Sequence, residues 1–223
     1  MKKHSKRTGY GKNFIILPIL FFILGIGITV VTIGPIISPV IEIGKLFILD
    51  SKYDFSESGQ DLLSDITSID ASQETVKLSE ITIPSYGDRY GHMTIDNTQV
   101  DVDVYFGDGQ RELHYGVGTY SEAGIPGQNK TILMGAHTST HFADLKSVQV
   151  GSIIHIQTNY GIYQYCITDA KVGHMNDTSM YDLSKDYENI ILYTCYPFGS
   201  VGMTDYRYFV YGEYVSGPMI VEG

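Results

Sequence analysis

Three side chains in this sequence of 223 residues could together carry out nucleophilic attack on a carbonyl. They are the thiol of Cys195, the imidazole of His137 and the guanidinium of Arg207. A cysteine attacks a carbonyl only as the thiolate, and a free thiol with a pKa of about 8.5 is mostly protonated at neutral pH. A nearby imidazolium or guanidinium favours the thiolate, and a guanidinium can also hold an oxyanion through its N–H donors. The residue types therefore fit nucleophilic acyl transfer.

The nucleophile and the arginine lie at the ends of two predicted strands. The run 190–193 is apolar, short and followed by turn-forming residues, which indicates a buried strand with Cys195 at its end. The aromatic and β-branched run 206–215 indicates the next strand, with Arg207 near its start. Strand ends that face loops can present reactive groups, so we expect both side chains to point into one cleft. After residue 13 the chain has two other arginines, which adjoin predicted turns and are expected to be solvated: Arg89 and Arg111.

The base is expected at the end of a third strand. The apolar run 131–136 ends at His137, just as the cysteine strand ends at Cys195. His141 lies further along the same predicted loop and is the alternative base, because catalytic residues often lie on loops. Taken alone, Cys195 is more often expected to be a buried packing residue. Its position at a strand end, together with the histidine and the arginine, favours the catalytic interpretation.

These residues resemble the signature of the sortases, the cysteine transpeptidases of Gram-positive surfaces. That signature is a Thr-Leu-x-Thr-Cys strand end with an upstream Gly-His and a downstream Arg. Residues 192–195 read Leu-Tyr-Thr-Cys and match four of its five positions, with Ile191 replacing the first threonine. Residues 135–137 read Gly-Ala-His, so the glycine stands one position earlier, and Arg207 follows the cysteine. The resemblance covers about residues 80–215.

The resemblance implies an eight-stranded β-barrel and a transpeptidation. Cys195 is expected to attack a threonine carbonyl in a sorting motif near the C-terminus of a secreted protein. His137 is expected to protonate the leaving amine and later to deprotonate the incoming one, while Arg207 and backbone amides stabilise the tetrahedral intermediate. Thr194 is expected to contribute to substrate binding. The implied acceptor is an amine of a cell-wall precursor such as a peptidoglycan precursor, and no cofactor or metal is expected.

The resemblance also bears on the class of sortase. The stretch from Cys195 to Phe198, with Arg207 far downstream, is more similar to class D, with class A second. Some class A members bind calcium through clustered acids near the loop before the histidine strand. The corresponding loop here offers only Glu122, so we expect no calcium requirement.

The pattern after Ile81 predicts a mainly β domain with a few short helices. Seven or eight short strands alternate with turn-forming residues, which argues for a barrel or a sandwich. The sequence Thr-Asn-Tyr-Gly at 158–161 predicts a hairpin between two of these strands. Residues 173–189 are expected to form a long acidic loop.

The amino-terminal part predicts a membrane anchor. Residues 1–13 contain five basic residues and no acid, and residues 14–40 follow without a charge. That run exceeds the roughly 20 apolar residues that span a bilayer and the 7–15 of a signal peptide. By the positive-inside rule residues 1–13 form a cytoplasmic tail, so the rest lies outside the cell. We expect an extracellular stalk at 41–80, with a short helix possible near residues 61–69, and a catalytic domain at 81–223.

Charge and cysteine content exclude several other functions. Residues 1–45 hold six basic residues and one acid, whereas the remainder holds nine basic and twenty-four acidic residues, a net charge of −15. An acidic exterior argues against nucleic acid as a partner. Cys166 lies in an evident strand and is expected to face the core as a packing residue and not to form a disulfide with Cys195. No Cys/His cluster has the spacing of a zinc site.

Two rival functions remain open at this stage. A membrane-anchored extracellular cysteine protease would use the same residue types, because water can replace the amine acceptor. A membrane-anchored binding module would carry an inert cysteine. The first rival predicts hydrolysis without transfer, and the second predicts that a thiol reagent does not distinguish Cys195 from Cys166.

Overall fold

The computed structural model describes residues 16–28, 59–64, 73–200, 202 and 204–223. The chain divides into two compact units, residues 1–53 and 54–223. In the first unit, residues 16–28 form an α-helix, here α1. None of the helices in these described ranges has both the length and the apolar character that a bilayer span requires. The predicted tail at 1–13 and the rest of the predicted anchor, 14–15 and 29–40, lie outside the described residues.

The second unit is built mainly of β-strands, as the sequence predicts. The bounds are β1 Thr75–Lys77, β2 Arg89–Ile95, β3 Asp101–Phe106, α2 Gln110–Tyr115, β4 Val117–Thr119, β5 Thr131–Gly135, β6 Ile153–Thr158, β7 Ile162–His174, β8 Asn189–Tyr196, β9 Tyr206–Ser216 and β10 Met219–Val221. Short 3₁₀ turns occupy Leu78–Glu80, Leu145–Ser147 and Thr178–Met180. The predicted hairpin is confirmed, because β6 ends at Thr158 and β7 begins at Ile162.

Eight of these strands close into a barrel, which confirms the predicted count. The order around the barrel is β2-β3-β4-β5-β8-β9-β7-β6. Two neighbouring pairs are parallel, β3 with β4 and β5 with β8, and the others are antiparallel. Strands β1 and β10 form a separate parallel pair, which the sequence pattern did not predict.

The alternation along β5 and β8 determines which side chains reach the surface. Ile132 and Met134 of β5 and Ile190 and Leu192 of β8 are fully buried and belong to the apolar core. Successive side chains of a strand point to opposite faces, so the residues between them point outward. Thr194 continues the inward series and Cys195 the outward series.

The outward side chains of these strands are covered by an outer apolar cluster. Its buried members are Leu133, Ile191 and Phe209, and other side chains pack on them: Tyr120, Ala123, Met180, Tyr181, Leu183, Tyr193 and Tyr211. Tyr181 stacks on Phe209 with ring centroids 6.3 Å apart. The β7–β8 loop, predicted from sequence as a long acidic loop, is therefore packed against the barrel through this cluster.

Glu188 fixes the far end of β8, where that strand begins. Its side chain is 4% exposed. One carboxylate oxygen accepts hydrogen bonds from the Gly127 amide and the Tyr165 hydroxyl, both at 2.8 Å, and the other accepts from the Asn129 amide at 2.8 Å. Burial raises the pKa of Glu188, although these donors act in the opposite direction. The carboxylate ties the β4–β5 loop to the barrel.

Part of the segment predicted as a stalk also contacts the barrel. The Leu62 amide donates to the Arg89 carbonyl and the Arg89 amide to the Gln60 carbonyl, both at 2.9 Å. The Arg89 side chain is ion-paired with Asp61 at 3.0 Å and with Asp103 at 2.7 Å. The expectation that Arg89 is solvated is therefore wrong, because these carboxylates hold it against the barrel. The possible helix at 61–69 is not formed by its described residues, 61–64.

The predicted core position of Cys166 is also wrong. In β7 the inward side chains are Tyr163, Tyr165 and Ile167, so Cys166 lies on the opposite face and is only half-buried. Both cysteines are free thiols.

Candidate active site

Cys195 lies one residue before the end of β8 and faces outward from the barrel. Its side chain is partly exposed, whereas Thr194 next to it is 1% exposed. The thiol of Cys195 is therefore on the surface side of the strand, above the outer apolar cluster. The predicted strand-end position of the cysteine is confirmed.

Arg207 lies on β9 directly opposite Cys195. The two residues are Cα partners in the antiparallel pair, so their side chains leave the same face with Cβ atoms roughly 5 Å apart. The guanidinium donates from Nη1 to the carbonyl oxygens of Thr204 and Tyr206, the latter at 2.9 Å. Its Nη2 lies 3.9 Å from the Met175 sulfur. The arginine is thus held by the end of the β8–β9 loop and by the start of the β7–β8 loop.

His137 reaches the same end of the barrel from β5. Gly135 is the Cα partner of Tyr193 in the parallel β5–β8 pair. The Ala136 amide donates to the Tyr193 carbonyl at 3.3 Å, which continues this register beyond the last residue of β5. His137 therefore follows on the side of β5 that adjoins Cys195, and its side chain is exposed.

Thr194 joins the two strands from inside the barrel. Its hydroxyl donates to the Ala136 carbonyl at 2.8 Å. The sequence-based expectation assigned Thr194 to substrate binding, but this side chain faces the core and its hydroxyl is engaged there. The hydrogen bond connects the residue before His137 with the residue before Cys195.

The loop after His137 sets the electrostatics of the imidazole. Although the His137 ring reaches the surface, the protein around it displaces part of its water, and this desolvation lowers its pKa. The neighbouring His141 and His114 lower the pKa of His137 further. His141 donates from Nε2 to the His114 carbonyl at 3.0 Å, which links the histidine loop to the end of α2. His141, the alternative base, is thus engaged with the backbone of another element.

Tyr193 is a site residue that sequence reasoning did not single out. It lies two residues before Cys195 and therefore on the same outward face. A Cβ at Gly135 would collide with the Tyr193 ring, so the phenol lies across the backbone of β5. The alternation with Cys195 was the available signal. The contact with the Tyr193 ring explains why position 135 is a glycine.

A metal site is not formed by these groups. Within the described ranges, no three His, Cys, Asp or Glu side chains are arranged to hold a metal ion.

Comparison with known protein families shows to which family the chain belongs. A family model described as the sortase domain matches residues 93–215, which include all three predicted site residues. The chain belongs to the sortase family. Sortases are cysteine transpeptidases that attach proteins to the cell wall, so membership decides against the binding module and in favour of an enzyme.

Individual relatives agree with this assignment. Sortase D of Bacillus subtilis (strain 168) is 31% identical over 133 residues, which are 60% of this chain and 67% of that protein. The solved sortase D5 transpeptidase of Clostridium perfringens superimposes with a TM-score of 0.53 at 24% identity and covers 59% of this chain and 82% of its own. Sortase C of Clostridium perfringens SM101 superimposes with a TM-score of 0.53 at 26% identity. The match covers 59% of this chain and 72% of that structure. Sortase A of Listeria monocytogenes superimposes with a TM-score of 0.52 at 22% identity. The match covers 60% of this chain and 91% of that structure.

Proposed function

We propose that Cys195, His137 and Arg207 carry out the transpeptidation of this sortase. The observation that carries the proposal is the common register of β5, β8 and β9. It directs the three side chains outward at one end of neighbouring strands. An enzyme that uses a thiol, an imidazole and a guanidinium in covalent acyl transfer needs these groups around one carbonyl.

The residue roles follow from their chemistry. The Cys195 thiolate attacks the threonine carbonyl of the sorting motif, and its sulfur forms a thioester as the peptide C–N bond breaks. His137 gives a proton to the leaving amine and takes one from the amine acceptor that attacks the thioester. Arg207 retains N–H groups beyond those bound to its own loop, and these stabilise the oxyanion together with backbone amides.

Thr194 acts as a positioning residue in this proposal. Its hydrogen bond to the Ala136 carbonyl holds the ends of β5 and β8 in register. A small displacement of His137 relative to Cys195 lowers the rate, because both must reach the same substrate bond. Thr194 therefore affects the substrate without contacting it.

The substrates are secreted proteins that carry a sorting motif, and the acceptor is an amine of a peptidoglycan precursor. The similarity to sortase D of Bacillus subtilis supports class D over class A. Product analysis tests the acceptor. A sorting peptide incubated with the enzyme and an added amine should yield the amine-linked peptide, whereas hydrolysis that is indifferent to the amine would identify the protein as a protease.

We also propose that residues 14–40 anchor the enzyme in the cell membrane, with residues 1–13 in the cytoplasm and residues 41–80 carrying the domain outside. The basic residues before the uncharged run support this orientation. Protease added to intact protoplasts should remove the catalytic domain, and full protection of the domain would reverse the orientation.

A further inference from the structure

Another outward side chain lies two positions before the nucleophile on β8 and has no role in the proposed chemistry. Tyr193 is paired with Phe209 across β8 and β9 and with Gly135 across β8 and β5. Its ring is tilted against Phe209, with centroids 6.3 Å apart. Because Gly135 lacks a Cβ, the phenol can lie on the backbone of β5, and the ring is fixed from both sides.

The hydroxyl of Tyr193 has no hydrogen-bond partner among the described residues, whereas two other tyrosine hydroxyls of the outer apolar cluster do. Tyr211 donates to the Met180 carbonyl at 2.9 Å, and Tyr120 donates to Glu122 at 3.2 Å. A partly buried hydroxyl gains free energy when a ligand supplies a partner.

The environment keeps this hydroxyl a donor. Burial, with a further contribution from the charge of Asp108, raises the pKa of Tyr193 to about 12. The phenol is therefore protonated throughout the range in which a cysteine enzyme works, and its hydroxyl remains an O–H donor.

We propose that the Tyr193 hydroxyl binds a main-chain carbonyl of the sorting peptide and so determines how the acyl donor is held beside Cys195. This inference rests on the proposed function. Tyr193 and Cys195 are two positions apart on β8, so their Cα atoms are about 7 Å apart. The phenol oxygen lies over Gly135 of the neighbouring strand β5. The bound carbonyl therefore belongs to a peptide residue near the scissile bond.

The test compares Tyr193→Phe with the parent in the full-length protein. The probe is the quenched fluorescent peptide that the parent cleaves fastest from a library with a fixed threonine before the scissile bond. Losing one neutral hydrogen bond should raise KM by roughly 3- to 10-fold and leave kcat nearly unchanged. Tyr214→Phe is the matched control, because its hydroxyl donates to the Gly217 carbonyl away from the site.

Thioamide peptides, in which one carbonyl oxygen at a time is replaced by sulfur, locate the partner. One replacement should weaken binding to the parent and have little further effect on Tyr193→Phe, because the two changes remove the same bond. Equal KM values for the parent and Tyr193→Phe, or additive losses of binding at every carbonyl, would overturn the inference about Tyr193. If the parent still formed an acyl-enzyme in that case, the proposed function would stand. A parent that forms no acyl-enzyme would overturn both.

Discussion

Cys195 lies directly opposite Arg207 in the β8–β9 pair, yet Nη1 of that arginine donates to the backbone carbonyls of Thr204 and Tyr206. The guanidinium is thus oriented by its own loop before any substrate binds. Such preorganisation lowers the cost of stabilising charge at the reacting carbonyl. In the proposed mechanism the planar guanidinium performs two tasks, one toward the loop carbonyls and one toward the substrate.

Arg207→Lys tests whether the planar hydrogen-bonding geometry of the guanidinium matters or only its positive charge. A lysine keeps the positive charge but cannot bind the loop carbonyls and an oxyanion in the same geometry. Transpeptidation should fall by roughly 10²–10³-fold, the range for losing one oxyanion donor. Alkylation of Cys195 should remain near the parent rate. Arg111→Lys is the control, and parental transpeptidation by Arg207→Lys would refute the oxyanion role.

Thr194→Val tests the connection between the ends of β5 and β8. Valine has nearly the same shape but leaves the buried Ala136 carbonyl without its donor, so stability should fall by about 1–3 kcal/mol. We expect kcat to fall by more than 10-fold as His137 shifts, an order-of-magnitude figure for misplacement. Thr194→Ser keeps the hydroxyl and should restore most of kcat. Equal kinetics for the valine and serine variants would exclude the positioning role.

The electrostatics of His137 predict a pH dependence. Because its pKa is lowered from 6.5 by burial and by His141 and His114, the imidazole should be half-protonated below pH 6.5. Its contribution to stability is therefore present above about pH 6.5 and lost as the pH falls through the lowered pKa. His141→Gln removes one of the two electrostatic contributions that lower the pKa of His137 and retains a donor for the His114 carbonyl. The pKa of His137 should therefore rise, though burial keeps it below 6.5.

The same variant separates the two candidate bases. NMR titration of the His137 ring should give the upward shift in His141→Gln, and both His141→Gln and His141→Ala should retain transpeptidation. Loss of activity in both His141 variants, with His137→Ala still active, would transfer the role of base to His141.

Glu188 provides a stability prediction away from the site. Glu188→Ala leaves the Gly127 and Asn129 amides and the Tyr165 hydroxyl without their shared acceptor, so the free energy of unfolding should fall by about 2–4 kcal/mol. Denaturant titration measures it, with the exposed Glu222→Ala as the control. A loss equal to that of the control would show that this buried carboxylate is not a structural anchor.

Strand positions were predictable where the apolar alternation is strong. The runs before Cys195 and His137 lie on strands because their apolar side chains fill the barrel. The aromatic run after Arg207 pairs with the run before Cys195. The short pair β1–β10 was not predictable, since three-residue strands have no periodic pattern and depend on contacts between distant parts of the chain.

Side-chain direction was harder to predict than strand position. The inward direction of Thr194 and the outward direction of Cys166 follow from the register of the whole barrel, and a local pattern does not reveal that register. Gly135 is explained only when the Tyr193 ring is seen to lie on it. The packing of the β7–β8 loop depends on Met180, Tyr181 and Leu183, which are dispersed among polar residues.

The most direct measurement is the intact mass of the full-length enzyme after brief incubation with a sorting peptide. Our account predicts an adduct equal to the peptide up to its threonine, located on Cys195, absent in Cys195→Ala, retained in Cys166→Ala and released as an amine-linked product when an amine is added. No adduct, or an adduct that persists in Cys195→Ala, would contradict the assignment of Cys195 as the nucleophile.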